Sequence, residues 1–334
     1  MAQGLRLAAR RLADGGMVAF PTETVYGLGC DAENPDAIAR IYAAKGRPSN
    51  HPVIVHVSPE ADLGYWARSV PDQASRLIQA FWPGPLTLIL PRADHVPAAV
   101  SGGQDSVGLR CPSHPVAQAL LREFAALKPN GQGGVAGPSA NKFGQVSPTR
   151  ASHVLAEFAE LGEAELLVLE GGPSEVGIES TIVDVSRLDQ GIGPVLLRPG
   201  HISSAQIAAV LGLEPSRPDA AAPRVSGSLK AHYAPRTPLQ LLSGEALLRQ
   251  LEHLGKHEGK VAAVVFQIPE HAAYSHVNWH LASFDPDVYA RDLYALLRRL
   301  DEGGYARILL ERPPSSGAWQ AVNDRIGRAA AAFE

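Results

Sequence analysis

Cysteine is scarce: only Cys30 and Cys111 occur in 334 residues, in neither metal-like nor redox spacing. The pair allows one disulfide at most, and a reduced cytoplasmic protein is the expectation. Long apolar runs are missing too. The strongest, Val261–Phe266, is strand-length and far short of the roughly 18 residues a membrane helix needs. Arg6, Arg10 and Arg11 interrupt the N-terminal apolar residues, which argues against a signal peptide. Nor is there a basic excess. The formal net charge is −4, with Lys and Arg scattered singly or in pairs, which disfavours a large nucleic-acid footprint. A local basic cleft for phosphates stays possible.

Several catalytic signatures are also absent. No Lys is followed by Ser or Thr, so there is no Walker-type phosphate loop. Gly131-x-Gly133-x-x-Ala136 imitates a dinucleotide fingerprint but precedes a strand instead of following one, and reads as chance. There is no HExxH, CxxC or G-x-S-x-G, so zinc-hydrolase and serine-hydrolase chemistry have no support. The 12 histidines include no closely spaced pair on a helix face and are expected at surface or structural positions.

What is present is enough apolar residue for a packed core, 45% of a chain whose length suits two domains. Residues 15–57 organise the first. Val18–Phe20 reads as a buried strand stopped by Pro21. Thr22, Glu23, Thr24 and Tyr26 follow as a polar turn at its carboxyl end, where open α/β sheets usually bind ligands. Gly27 and Gly29 would let the backbone bend or approach a ligand. A helix is expected over 35–44, then Lys45-Gly46-Arg47-Pro48, then a strand over 52–57 carrying His56. Helices over 71–81, 115–126 and 152–161 alternate with strands over 86–90, 107–110 and 166–170. Residues 214–228 are Pro/Ala/Ser-rich without an apolar period and read as a linker. Beyond it, strand 238–242, helix 245–254, strands 260–267 and 279–284, helix 286–301, strand 306–311 and helix 316–332 suggest a small α/β sheet with parallel elements.

Polar residues punctuate the strand ends: Lys45/Arg47, Arg110, Ser139-Ala140-Asn141, Ser147, Glu179-Ser180-Thr181 and Arg198. Each arginine alone is more commonly a solvated charge or structural ion pair, and Ser and Asn are common turn and cap residues. Together they suit a polyanion such as a nucleoside triphosphate, since Arg binds phosphate or carboxylate bidentately and Lys supplies a compact charge.

The runs FPTETVYGLG, KGRPSNHPVIVHV, WPGPLTLIL, GLRCPSHP, GPSAN, GIESTIVDV and LLRPG resemble, in order, the YrdC-like domain of the threonylcarbamoyl-AMP synthase family. SGSLKAHYAPRTPL and AVNDRIGRAA resemble that family's longer, two-domain form, so the likeness covers roughly residues 5–330. It implies a twisted open-sheet α/β domain with helices packed on it over 1–213, a linker over 214–237 that folds over the active site, and a smaller Rossmann-like α/β domain over 238–334. The implied reaction joins L-threonine, bicarbonate and ATP into threonylcarbamoyl-adenylate and pyrophosphate. It is a nucleotidyl transfer that feeds the machinery placing threonylcarbamoyl on tRNA adenosine.

By the same resemblance, Lys45, Arg47, Ser139 and Asn141 would hold the ATP phosphates with their Mg2+, Lys45 and Arg47 being the catalytic pair. Ser106, Ser147 and Arg198 match further nucleotide positions, as do His232 and Tyr233 on the linker; Thr24, His56, Arg110, Gly137 and Ser180 match the threonine pocket. No protein metal ligands are implied, the Mg2+ being held through ATP. Two departures stand out: His51 replaces an Asn common before the Pro of the Lys-x-Arg loop, and KPNGQGGVAG, which ends at Gly137, is longer and richer in Gly than the usual apolar strand before Pro138. An RNA- or tRNA-binding module without turnover is the alternative, which the scattered charge weighs against. The related carbamoyl-adenylate chemistry of hydrogenase-maturation proteins comes with zinc-finger-like segments for which this chain lacks cysteines.

Overall fold

The computed structural model describes residues 2–254, 259–270 and 274–334. They form two compact units: the chain up to Phe143 together with Ser147–Ser228, and Gly144–Val146 together with Leu229–Glu334.

The first unit is built on a nine-stranded mixed sheet. Helix α1 (Ala2–Ala13) leads into β1 (Met17–Phe20), which pairs antiparallel with β2 (Gly27–Asp31). The stretch expected as a polar turn is thus shorter than its composition suggested, and Gly27 and Gly29 belong to a strand. The space at Gly29 is filled by protein, since a Cβ there would lie 2.8 Å from both Phe20 Cε1 and Val135 Cγ1. Helix α2 (Pro35–Lys45) is started by Asn34, whose side chain accepts from the Asp36 and Ala37 amides, a cap worth about 1 kcal/mol.

The remaining strands are β3 (Ile54–His56), β4 (Leu86–Pro91), β5 (Ser106–Arg110), β6 (Val135–Ala136), β7 (Leu166–Val168), β8 (Thr181–Asp184) and β9 (Val195–Arg198). Across the sheet they run β7-β1-β2-β6-β3-β5-β4-β8-β9. β6 is two residues long, yet both residues are fully buried between β2 and β3. The Gly-rich departure is therefore no simple surface insertion, because its apolar end threads the sheet centre.

The pleat sends alternate residues to opposite faces, and residues directly opposite in register share a face. One face carries Ala19, Leu28, Cys30, Val55, Leu88, Leu109, Ala136 and Val183. It forms the main core with α2, with Trp66 of α3 (Leu63–Trp66), with Ala74 and Leu77 of α4 (Asp72–Phe81), with Val154 of α6 (Ala151–Glu157), and with Ile207 and Leu211 of α7 (Ser204–Leu211). The other face is covered at its two sides. Val18, Phe20 and Val135 pack under α1 and α5 (Pro115–Leu127), while Ile89, Ile182 and Val195 pack with Val225. Val225 comes from the Pro/Ala/Ser-rich stretch. That stretch lies on the first unit through a Leu196 amide bond to Ser216 O (2.9 Å) and an Arg187–Asp219 ion pair (3.0 Å).

The second unit orders its parallel strands β10 (Leu239–Leu242), β13 (Arg307–Glu311), β11 (Val261–Val265) and β12 (Val277–Leu281) across the sheet. Helices α8 (Gly244–His253), α9 (Pro286–Glu302) and α10 (Gln320–Ala331) follow β10, β12 and β13 in the chain. β12 starts two residues before the expected 279 and ends before 284. It is an edge strand, and Leu281 and Phe284, apolar residues that invited a longer reading, are exposed. The alternating α/β architecture anticipated for both parts is what the chain adopts.

Candidate functional site

Between the two covered sides of the sheet's second face lies a cleft open to solvent. Register explains its lining. His56 stands opposite Arg110 and Ile54 opposite Gly108 across β3 and β5. Thr87 stands opposite Ile182, and Ile182 opposite Arg198. All of these side chains rise from one face. The expected location, at strand carboxyl ends, holds for much of the lining: Thr22 and Thr24 follow β1, Gly137 and Ser139 follow β6, and His56, Arg110 and Arg198 close β3, β5 and β9. Because the sheet is mixed, an amino end contributes too, with Glu179 and Ser180 just before β8.

Of the residues singled out in the sequence, Thr24, His56, Arg110, Gly137, Ser139, Ser180 and Arg198 line this cleft together. They form two arms, each an arginine donating to a hydroxyl. Arg110 Nη1 donates to Thr24 Oγ1 at 2.9 Å, and its Nη2 lies 2.7 Å from Glu23 Oε1 in a buried ion pair. Arg198 Nη2 donates to Ser180 Oγ (3.2 Å), its Nε to Ser180 O (3.0 Å) and its Nη1 to Ser226 O (3.0 Å). Ser180 Oγ also bonds Thr87 Oγ1 at 2.7 Å. His56 is 3% exposed and meets Phe20 edge-on at 5.5 Å between ring centres. Burial, with Arg110 next, pushes its pKa down to about 3, so the ring is neutral near pH 7. A Cβ at Gly137 would come within 3.0 Å of His56 Nδ1, so the position must stay small for the ring to keep its place.

Lys45 and Arg47 are set by the end of α2. Gly46 takes the left-handed conformation (φ 62°), and the amides of Gly46 and Arg47 bond back to Ala43 O and Tyr42 O. Lys45 is 2% exposed and its ammonium donates to the carbonyls of Ser139 (2.6 Å) and Asn141. Burial, with Arg47 next, holds its pKa well below the usual lysine value. The Lys-x-Arg and Ser-x-Asn segments, 94 residues apart in the chain, thus meet directly. Arg47 Nη2 donates to Pro52 O at 2.6 Å. His51, whose carbonyl accepts from Tyr42 Oη at 2.5 Å, packs edge-on to Phe143 at 5.3 Å. Burial, then Arg47 and Arg224, lower its pKa.

Ser147 donates to Glu179 Oε1 at 2.5 Å, and Glu179 lines the cleft. Ser106 lies instead in an adjoining apolar hollow with Ile54, Ile89, Ile182, Arg224 and Val225. His232 and Tyr233 belong to the second unit. There Tyr233 holds φ at 60°, its ring lies over the Arg325 guanidinium at 5.3 Å, and Tyr294 stacks on it at 5.9 Å.

From sequence, Thr22 and Glu23 read as part of a polar turn at a ligand-binding strand end, and Glu179 as one of the polar residues at strand ends, none of them with an individual role. Sequence reasoning misses Thr87, an ordinary strand residue, and gives Ser226 no site role although it opens the SGSLKAHYAPRTPL run. Only the folding back of that segment brings Ser226 to the cleft.

Among the described residues no three His, Cys, Asp or Glu side chains cluster to hold a metal ion. No described helix is long and apolar enough to cross a membrane.

Comparison with known proteins agrees with this architecture. Residues 10–200 match the family profile Sua5/YciO/YrdC, described as telomere recombination, and residues 202–331 match the threonylcarbamoyl-AMP synthase C-terminal domain. The threonylcarbamoyl-AMP synthase of Pyrococcus abyssi is 36% identical, over 97% of this chain and 93% of its own. That of Bacillus subtilis is 37% identical, over 97% and 92%. The crystal structure of Pyrococcus abyssi Sua5 complexed with L-threonine superposes with a TM-score of 0.83 over 98% of this chain and 94% of that one, at 32% identity. The chain belongs to the threonylcarbamoyl-AMP synthase family, in the form that joins a YrdC-like domain to a second, C-terminal domain.

Proposed function

We propose that this enzyme is a nucleotidyltransferase that converts L-threonine, bicarbonate and ATP into threonylcarbamoyl-adenylate and pyrophosphate, for threonylcarbamoyl-adenosine modification of tRNA. The observation that carries the reading is the convergence of Thr24, His56, Arg110, Gly137 and Ser180 in one cleft with Ser139 and Arg198. A carboxylate reader, a neutral imidazole and two hydroxyls suit a small hydroxylated amino acid. The L-threonine complex of the Pyrococcus abyssi relative supports the same substrate here.

In this reading, Arg110 takes the amino-acid carboxylate, and Thr24, His56, Gly137 and Ser180 surround the rest of threonine. Lys45, Arg47, His51, Ser106, Ser139, Asn141, Ser147, Arg198, His232 and Tyr233 serve the nucleotide, with Lys45 and Arg47 fixing the triphosphate. Mg2+ enters with ATP. The neutral oxygens of Ser139, Asn141 and Ser147 fit a hard ion that keeps phosphate and water ligands, for which no protein carboxylate cage is needed. Bound there with ATP, the ion would supply charge neutralisation for the departing pyrophosphate.

Threonine's amine, once deprotonated, adds to bicarbonate with loss of water to give a carbamate. A carbamate oxygen then attacks the α-phosphorus, and the bond to the leaving pyrophosphate breaks. The chain contributes positioning and preformed electrostatics. Exclusion of water protects the carbamate. We place the catalytic domain at 1–213, a linker that closes over the site at 214–237 and the accessory domain at 238–334, in a cytoplasmic protein that hands its product to the tRNA threonylcarbamoyl-transfer machinery. Mass spectrometry of the product made from ATP, threonine and 13C-bicarbonate tests the reading. A labelled threonylcarbamoyl-adenylate is expected, and pyrophosphate release that persists without threonine overturns it.

A further inference from the structure

Arg110 is a long cation whose usefulness to a carboxylate depends on where its planar fork points, and three neighbours set that direction. Thr22 Oγ1 donates to Val25 O (2.5 Å) and accepts from the amides of Thr24 and Val25 (3.2 Å each), so its only hydrogen is committed. In the 2.9 Å contact between Thr22 Oγ1 and Thr24 Oγ1, Thr24 is therefore the donor. Thr24 Oγ1 is in turn the acceptor for Arg110 Nη1, since a guanidinium can only donate. One end of the fork is thereby pinned.

The opposite end is held by Glu23. Its Oε1 lies 2.7 Å from Nη2, and both side chains are about 5% exposed or less. Its Oε2 accepts from the Ser113 amide at 3.2 Å, and the Val176 amide bonds to its carbonyl at 2.7 Å, so Glu23 is itself anchored at both ends. Arg110 Nε makes no hydrogen bond among the described residues, and the guanidinium, held at both ends, belongs to the cleft lining. A guanidinium kept in a fixed orientation is the group a carboxylate pairs with best.

We infer that Glu23 is a positioning residue for amino-acid recognition: through its ion pair it fixes the Arg110 guanidinium in the cleft lining and keeps it there before substrate arrives. The cost of orienting a flexible arginine is met in folding and not in binding. Glu23 also balances the charge of Arg110, so the buried guanidinium is not left unpaired before substrate arrives. The inference rests on the threonine assignment made above and extends it to a residue outside the cleft lining.

Calorimetry of L-threonine binding to the full-length chain without nucleotide, together with steady-state pyrophosphate release, tests it. Glu23→Ala is expected to weaken threonine binding at least tenfold and to raise KM for threonine in parallel, with KM for ATP within twofold and kcat changed less than KM. Glu23→Gln, which keeps the shape and an acceptor, is expected to lie between wild type and Glu23→Ala, and it serves if the alanine variant fails to fold. Threonine affinity within twofold of wild type in the folded variants overturns the inference. So does an equal rise in KM for ATP and threonine, which marks a merely structural role. Wild-type protein that binds threonine but forms no adenylate would refute the proposed reaction while leaving the binding test of Glu23 intact.

Discussion

Lowering the pH from 7 to 5 makes the unfolded chain take up a proton at residue 56 that the folded protein refuses. His56 is buried against Phe20, stands in register with Arg110 and has Glu23 just beyond that guanidinium. Burial and then Arg110 push its pKa to about 3, against about 6.5 unfolded. Between those values the unfolded state binds more protons, so stability rises with pH across the window and is lost as pH falls from about 6.5 toward 3. At pH 5 the deficit from this one group is about 2 kcal/mol, set by the unfolded value and little affected by the folded one. Hydrogen exchange of the Val55 and Leu109 amides, central in the first unit's sheet, reads the opening free energy at both pH values without mixing in the second unit. Other groups titrate alike in wild type and in His56→Gln, so the difference between the two isolates the imidazole. The variant is expected to lose about 2 kcal/mol less than wild type on acidification. Equal losses in both proteins would mean that His56 is hydrated or already charged at neutral pH, and the neutral-imidazole account of the cleft would fall.

Two further substitutions probe the scaffold and the phosphate end. Gly29→Ala places a methyl within 2.8 Å of Phe20 and Val135, so overpacking should cost about 1–3 kcal/mol in urea unfolding; an unchanged midpoint would refute the close approach. Lys45→Met keeps the length but removes the ammonium joining Ser139 and Asn141. Pyrophosphate release should drop more than tenfold while stability changes by no more than about 2 kcal/mol, and turnover within twofold of wild type would take Lys45 out of the site.

Local rules made much of this legible. Pro35 and Gly46 bracket α2 by chemistry that acts within a few residues, so the helix and the placement of Lys45 and Arg47 at its end could be read directly. The parallel second unit followed from alternating strand and helix periods. β2 was obscured because its glycines suggest a turn, and their role, making room for Phe20 and Val135, exists only once three strands are assembled. β6 was obscured by length, since a two-residue strand has no period to detect.

The candidate site divides along the same line. Residue type and order along the chain sufficed to nominate Arg110, Ser180 and the Lys-x-Arg and Ser-x-Asn pairs, because cations, hydroxyls and amides have few uses in concert other than gripping anions. Which of them meet was decided by strand order and register. His56 faces Arg110 because β3 lies beside β5, though 54 positions separate them. Glu23 gains its meaning from a guanidinium 2.7 Å away that no local window of sequence contains. Side-chain chemistry is a property of each residue and can be read one at a time, whereas pairing, burial and the pKa of His56 belong to neighbours brought together by the sheet.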